Sequence, residues 1–415
     1  MAAFLPYARH LVEDDDVAAV VEAMRSGWLT TGPAVAAFER EFARTVEAPH
    51  AVACSSGTAG LHLAAMALGL APGDSVVVPS ITFLATANAV RYVGAEVVFA
   101  DVDTDTGLLT EPALEAALGR GGRSVKAIFP VHLAGQTVDM AMVARVARAR
   151  GLRVVEDACH ALGGAYRTAE GERITVGSCR HADMAMFSTH PAKTVTTAEG
   201  GIVTTRDTGL DERLRRLRNH GMVRDAGRFT ERSQALAADG RANPWYYEMP
   251  EPGFNYRASD LHCALGLSQL RKLGRFLARR RAFAFRYDRA LPPLAPVVRP
   301  SARVPGAESG WHLYTVLIDF ARAGLDRAAL VRALEARGIG TQVHYLPVHR
   351  QPYYRGRYGA LELPGADAYY ARTLSLPLFP AMADADVDRV VTALAEVLDL
   401  ASAKPPAEPG SARAR

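Results

Sequence analysis

The stretch KAIFPVHLAGQTVDMAMVARVARARGLRVVEDA, residues 126–158, decides the fold. KAIFPVHL reads as a strand, residues 139–150 as a helix and LRVVEDA as a second strand. Two apolar strands flanking a helix form a βαβ unit, and parallel strands of this kind need helices over both faces. The alternation continues in both directions. Upstream, AVACSS reads as a short strand, TAGLHLAAMALGL as a helix and SVVVPS as a β-branched strand. A helix through FLATANAVRYVG, the strand EVVFADVD and a helix at 111–119 follow. Downstream, MAMFS and IVTTR add strands, and DERLRRLRNHG is a helix that ends at glycine. The predicted class is α/β, with a large, mostly parallel sheet covered by helices.

Around this block the pattern is less regular. Residues 14–26, DDDVAAVVEAMRS, have the acidic start and apolar spacing of a helix, and SGWLTTGP breaks it. Residues 222–253 are polar and irregular, with a dense aromatic group in WYYEM. One long helical stretch is predicted from 258 to 290. After the Pro-rich PPLAPVVRP come a strand (HLYTVLIDF), a helix (DRAALVRALEARG), a strand (TQVHYLP) and a last helix at 383–400. These predict a smaller C-terminal α/β domain with an antiparallel sheet. The expected division is an N-terminal segment, 1–30, packing with the small domain, a large domain at 31–270, the small domain at 271–400 and a disordered tail at 401–415.

Composition narrows the function classes. Of 415 residues, 49% are apolar and 22% charged, the balance of an ordinary globular protein. The net charge is +4 with the basic residues dispersed, which argues against a nucleic-acid surface. Cys54, Cys159, Cys179 and Cys263 lie far apart without metal-ligand spacing, as expected of reduced thiols rather than a disulfide framework or a metal site. The start, MAAFLPYARHLVEDDD, lacks the pattern of a signal peptide, and no apolar run reaches the roughly 20 residues of a membrane span. The expected location is the cytoplasm.

In an open parallel sheet, ligands bind beyond the carboxyl ends of the strands. The first such end carries Ser55-Ser56-Gly57-Thr58 at the start of a helix, small residues whose amides can approach an anion. A capping turn without a ligand would look similar. The second end carries Asp157, a carboxylate at the exit of an apolar strand that must be paired or hydrogen-bonded. It reads either as a cap or loop ion pair, or as a fixed anion facing a cationic cofactor nitrogen. His160 follows, as a structural group or a base. The third end, MAMFSTHPAKT, delivers Ser188 and, after a Pro turn, Lys193. Few acids lie near Lys193 in sequence, and a lysine becomes a useful amine when its ammonium form is disfavoured. An anion site, a buried carboxylate and an activated lysine at three strand ends match the demands of pyridoxal 5'-phosphate.

The motifs SGWLTTGP, SSGTAGLHLA, P-x-x-TF-x-ATANA, PVHLAGQ, VVEDACHALG, HPAKTVTTAEGG, LRNHG, GFNYR and SLPLFP resemble those of the fold-type I nucleotide-sugar aminotransferases, in that family's order from about residue 5 to 400. WYYEM followed by GFNYR, GTQVHYLPVHRQPYY and VGSCRHADM resemble one branch, the C-4 aminotransferases of pseudaminic acid synthesis, which aminate a UDP-linked 4-keto-6-deoxy-N-acetyl sugar. The resemblance implies that Lys193 is the catalytic lysine, bonded to the cofactor and later moving a proton between cofactor and substrate carbons. It implies cofactor contacts from Gly57, Thr58, Ala59, Ser188 and His160, with Asp157 on the pyridinium nitrogen and Phe83 stacked on the ring. Asn255 would reach the phosphate from a neighbouring subunit, so the resemblance implies a homodimer with shared active sites. Tyr7, the turn Trp28-Leu29-Thr30-Thr31, His190, and the run Gln342, Val343, His344 and Tyr345 would line the sugar-nucleotide pocket. The implied partners are a nucleotide-linked ketosugar and an amino donor, L-glutamate, with no metal, nucleic acid or membrane.

Thr189 stands where the family commonly has an aromatic residue, and Leu261-His262 where an Ile-Gln pair is usual, both expected to alter the fit of the pocket. The lysine position holds Lys193 rather than the histidine of the dehydrating relatives. Two other readings remain: amination at C-4 or C-3 of a different nucleotide sugar, and a cofactor-bound regulator without turnover. The intact Lys193, Asp157 and Ser188 argue against the second.

Overall fold

The computed structural model describes residues 3–400. The tail expected at 401–415 lies outside the described residues. A seven-stranded sheet is built from β1 (His50–Cys54), β2 (Ser75–Pro79), β3 (Glu96–Ala100), β4 (Val125–Ile128), β5 (Arg153–Asp157), β6 (Met184–Ser188) and β7 (Gly201–Thr205). Their order across the sheet is β1-β7-β6-β5-β4-β2-β3. Neighbours from β6 to β3 pair in parallel, while β7 pairs antiparallel with both β6 and β1. The IVTTR strand therefore runs against the rest. The loop 189–200 that separates it from β6 contains no helix, whereas a parallel partner is usually reached through a helical crossover.

The middles of the central strands are buried: Val76, Val77, Val78, Val155, Ala185 and Met186 are all fully enclosed. Helices Gly57–Ala67, Leu84–Tyr92, Glu111–Gly121 and Met140–Arg150 follow the strands they cover, as the βαβ pattern requires. The first begins at Ser56, whose hydroxyl accepts from the Ala59 amide (3.1 Å). The last begins at Asp139, which caps Met142 (2.9 Å), and ends at Gly151 in the left-handed region (φ 64°). Gly201 allows a close approach of backbone to backbone, since a Cβ there would stand 2.4 Å from the Ser56 carbonyl oxygen. Gly201→Ala is expected to destabilise the fold by roughly 1–3 kcal/mol through overpacking, as read by denaturant unfolding. A wild-type midpoint would mean that the strand can slide away.

A second hydrophobic core gathers Phe283, Tyr287, Tyr314, Val316, Leu374 and Leu394. It lies on an antiparallel sheet ordered Val298–Pro300, Tyr314–Ile318, Thr373–Leu376. Leu5 belongs to this core and pairs with Ile339, whereas the helix Asp14–Arg25 packs on the helix Asp260–Arg271. The single helix expected from 258 to 290 is two, Asp260–Arg271 and Leu273–Ala290. They part at Lys272, whose ammonium is tied to Asp15 (2.6 Å) and Asp16 (2.7 Å). TQVHYLP is not a strand. Gln342 makes one bridge to Ser375, after which Val343–Leu346 turns away to line a cavity. Among the described residues, no helix is long and apolar enough to cross a membrane, and all four cysteines are unpaired.

Candidate active site

The three strand ends singled out in the sequence converge on one cavity of about 550 Å³. One wall is the turn after β1, where Ser56, Gly57 and Thr58 open the helix Gly57–Ala67. The amides of a first helical turn have no acceptor within the helix, so those of Gly57 and Thr58 are suited to an anion. Gly57 also leaves room: a Cβ there would sit 3.0 Å from Ser188 Cβ and 3.2 Å from its Oγ. Ala59, by contrast, is buried outside the cavity lining, and its amide is taken by the Ser56 cap.

At the base lies Asp157, 5% exposed at the end of β5. Its carboxylate accepts from Thr86 Oγ1 (2.6 Å) and the Cys159 amide (3.2 Å), and Thr86 is bonded in turn to Thr82 (2.8 Å). Among the described residues no cation lies within ion-pair distance of Asp157, so a buried carboxylate faces the cavity held by neutral donors alone. That arrangement accommodates a protonated ring nitrogen.

Lys193 sits on the loop between β6 and β7, its amide bonded to the His190 carbonyl (2.8 Å). The side chain is partly exposed to the cavity yet enclosed by protein. That enclosure lowers its pKa from the ordinary lysine value, opposed by Cys159 and Asp157. The acid absent from its sequence neighbourhood is therefore present in space, far away in the chain. The loop itself is fastened by hydroxyls: Thr189 Oγ1 to Thr197 Oγ1 (2.6 Å) and Thr196 Oγ1 to the Thr189 carbonyl (3.2 Å). Thr189 is fully buried and does not line the cavity, contrary to the expectation that it would alter the pocket's fit. His190 and Ser188 do line it.

The small domain closes the other side with Gln342, Val343, His344 and Tyr345, and the N-terminal segment adds Tyr7. Phe83 stands at the mouth, 55% exposed, with its ring 5.9 Å from that of Tyr345. His160 Nδ1 accepts from the Ala134 amide (3.3 Å), which leaves the proton of a neutral imidazole on Nε2, 3.0 Å from the Tyr345 hydroxyl. His160 is thus a donor to Tyr345, and the Tyr345 proton is free for the cavity. Sequence reasoning missed five polar cavity groups: Thr82, Cys159, Glu199, His312 and Gln351. Each sits in a motif quoted for other reasons, or in a strand, and nothing local distinguishes it.

His160, His312 and His344 are all held neutral, chiefly by burial and then by Lys193, with His344 pushed down to about 3. The unfolded chain binds protons at these histidines below the ordinary value of 6.5, whereas the folded protein does not. Stability is therefore full above pH 6.5 and falls as pH drops toward 3, by up to about 1.4 kcal/mol per pH unit for each group. Denaturant unfolding at pH 7.5 and 5.5 checks this, and His344→Phe is expected to shallow the slope. A pH-independent midpoint would contradict it.

Asn255 and the turn Trp28, Leu29, Thr30 and Thr31 do not line the cavity. They are exposed next to one another's segments, Thr30 bridging to Ser259 and the Leu29 carbonyl accepting from the Asp260 amide (3.0 Å).

Residues 11–395 match the model of the DegT/DnrJ/EryC1/StrS aminotransferase family. The chain belongs to that family. It is 40% identical over 399 residues to the spore coat polysaccharide biosynthesis protein SpsC of Bacillus subtilis (strain 168), covering 95% of this chain and 97% of that protein. Among solved structures, PseC of Helicobacter pylori, an aminotransferase involved in pseudaminic acid biosynthesis, superimposes with a TM-score of 0.84 at 28% identity, covering 95% of this chain and 99% of that one. DesI, solved with its TDP-sugar product, gives a TM-score of 0.81 at 31% identity, covering 96% and 94%. The architecture is that of fold-type I enzymes, and this aminotransferase depends on pyridoxal 5'-phosphate. The cavity fits the cofactor: the Gly57–Thr58 amides and Ser188 would hold its phosphate, Asp157 its ring nitrogen, Phe83 its ring face and Lys193 its aldehyde carbon. When bound, the cofactor supplies an electron sink for a carbanion at the substrate carbon.

Proposed function

We propose that this aminotransferase acts on a nucleotide-linked ketosugar, moving an amino group from L-glutamate to C-4 of UDP-2-acetamido-2,6-dideoxy-β-L-arabino-hex-4-ulose, the step of pseudaminic acid synthesis. The observation that carries the reading is the single cavity holding Lys193, Asp157 and Ser188 beneath the 342–346 loop, supported by similarity over nearly the whole length to PseC. Lys193 removes the proton from the amino donor's α-carbon and returns it at the cofactor, then reverses the order for the sugar. Its burial keeps the amine available as a base, and such proton transfer contributes a factor of roughly 10²–10⁴. Asp157, anchored by Thr86, favours the protonated ring. His190, Tyr7 and the 342–345 run orient the sugar. A second reading is amination of another 4-keto or 3-keto nucleotide sugar for a polysaccharide or antibiotic. The 40% identity to SpsC and the 31% identity to DesI both exceed the 28% to PseC, which favours it. A panel of UDP- and dTDP-linked 4-ketosugars and 3-ketosugars offered with glutamate separates the two. Turnover confined to the UDP-N-acetyl 4-ketosugar supports the first; preference for any other member overturns it.

The functional unit proposed is a cytoplasmic homodimer. Asn255 and the Trp28–Thr31 turn lie outside this chain's own cavity, and Trp28 (54%), Leu29 (55%) and Phe254 (42%) are exposed apolar groups suited to burial against a second copy. Mixing inactive Lys193→Ala and Asn255→Ala proteins is expected to restore activity, because a mixed dimer would carry one site with both residues intact. No recovery on mixing would place Asn255 with its own chain's site or remove it from the chemistry.

A further inference from the structure

Arg280, in the helix Leu273–Ala290, is fully buried and has no carboxylate within ion-pair distance among the described residues. Its Nη1 donates to the carbonyls of Trp311 (3.3 Å), His312 (3.1 Å) and Leu378 (2.9 Å), while its Nε meets no acceptor. Burial pulls its pKa down to about 10. An unpaired buried cation is a costly thing to keep inside a core, where an apolar side chain of similar volume would serve packing better.

The backbone that Arg280 grips is itself strained. Trp311 has φ 47°, in the left-handed region that bulky residues rarely enter. Large-domain backbone crowds it: a Cβ on Gly135 would lie 2.7 Å from the Trp311 nitrogen, and the Gly310 amide is bonded to the Gly135 carbonyl (2.9 Å). Two unfavourable features thus fix one short segment across the junction of the two cores. The residue they place is His312.

His312 is 3% exposed, lines the cavity and has an unpartnered Nδ1. Its ring centroid lies 4.3 Å from that of His160, which bonds to the Tyr345 hydroxyl. A neutral imidazole resting against His160 at an interplanar angle of 43° limits how that ring can turn, and its orientation sets the direction of the bond to Tyr345.

We propose that Arg280 is a positioning residue of the active site: through the Trp311–His312 backbone it holds the His312 imidazole against His160 and so aims the Tyr345 hydroxyl into the cavity. Geometry of this kind is worth much to catalysis, since misplacement by about 1 Å can cost roughly 10²-fold. The experiment compares the cofactor-loaded wild type with Arg280→Met, His312→Ala and the double variant. Three quantities are read: kcat/KM, the pH dependence of the cofactor's visible absorbance, and the thermal midpoint. Each single variant is expected to lower kcat/KM by about 10–100-fold and to shift the absorbance profile in the same direction. The double variant is expected to lose no more than the worse single one, because both act along one path. Losses that multiply in the double variant overturn the proposal, as does a lowered midpoint with an unchanged absorbance profile. Should Arg280→Met fail to fold, His312→Ala decides, since it removes the ring that rests on His160 and leaves the buried cation in place. A wild-type profile and kcat/KM there refute the path from Arg280 to Tyr345.

Discussion

Lys193→Ala is expected to reduce turnover by at least about 10²–10⁴-fold, while the protein folds as well as the wild type. The reasoning has two parts. Lys193 is the one lysine or arginine among the described residues lining the cavity, so no second amine there can take its place at the cofactor's aldehyde carbon. Its ammonium is also disfavoured by enclosure, so removing it relieves the fold of a poorly solvated charge. Steady-state kinetics and thermal unfolding measured side by side test both. A small primary amine such as methylamine, entering the space left by the side chain, is expected to restore part of the rate. Near-normal turnover without added amine would remove Lys193 from the chemistry.

Asp157→Asn separates cofactor binding from folding. In the wild type, a buried carboxylate is held by a hydroxyl and an amide with no cation close enough to pair. Asparagine fills the same volume without the charge, so the cofactor-free variant is expected to be at least as stable as the wild type. Affinity for pyridoxal 5'-phosphate, by contrast, is expected to weaken by about 10–100-fold, because a hydrogen bond between charged partners worth roughly 1.5–3 kcal/mol becomes a neutral one. Fluorescence titration of the cofactor gives the affinity and denaturant unfolding the stability. Unchanged affinity would mean that Asp157 does not face the ring nitrogen, and a large loss of stability would make it a structural group.

Both residues are legible in the sequence because Asp157 ends one self-contained apolar strand and Lys193 lies in the loop that leaves another at Ser188. VVED and MAMFS cannot be read as anything but buried strands, and a polar residue at such an exit marks the rim of the sheet. What was not legible depended on groups brought from elsewhere. The alternation in TQVHYLP fits a strand, but the pattern does not reveal that Ser375 offers a single bridge and that the next residues are needed at the cavity wall. The break at Lys272 is similarly invisible, since its acids, Asp15 and Asp16, lie on the first helix. His312 looked like the first residue of a strand. Its place beside His160 follows from a contact between the two domains, and local spacing carries no trace of that.

The hydroxyl fastening of the 189–200 loop has an implication for how such an enzyme changes its substrate. The residues proposed to carry the reaction, Asp157, Ser188 and Lys193, are anchored in the large sheet and in a knot formed by Thr189, Thr196 and Thr197. The residues opposite them are held differently: Gln342 and His344 are tied to Ser375, Tyr345 reaches across to His160, and Val343 and Leu346 line the cavity without such ties. New sugar preferences can be sought by varying Gln342, Val343 and Leu346 while keeping His344 and Tyr345, and Thr189 is best left out of any such library.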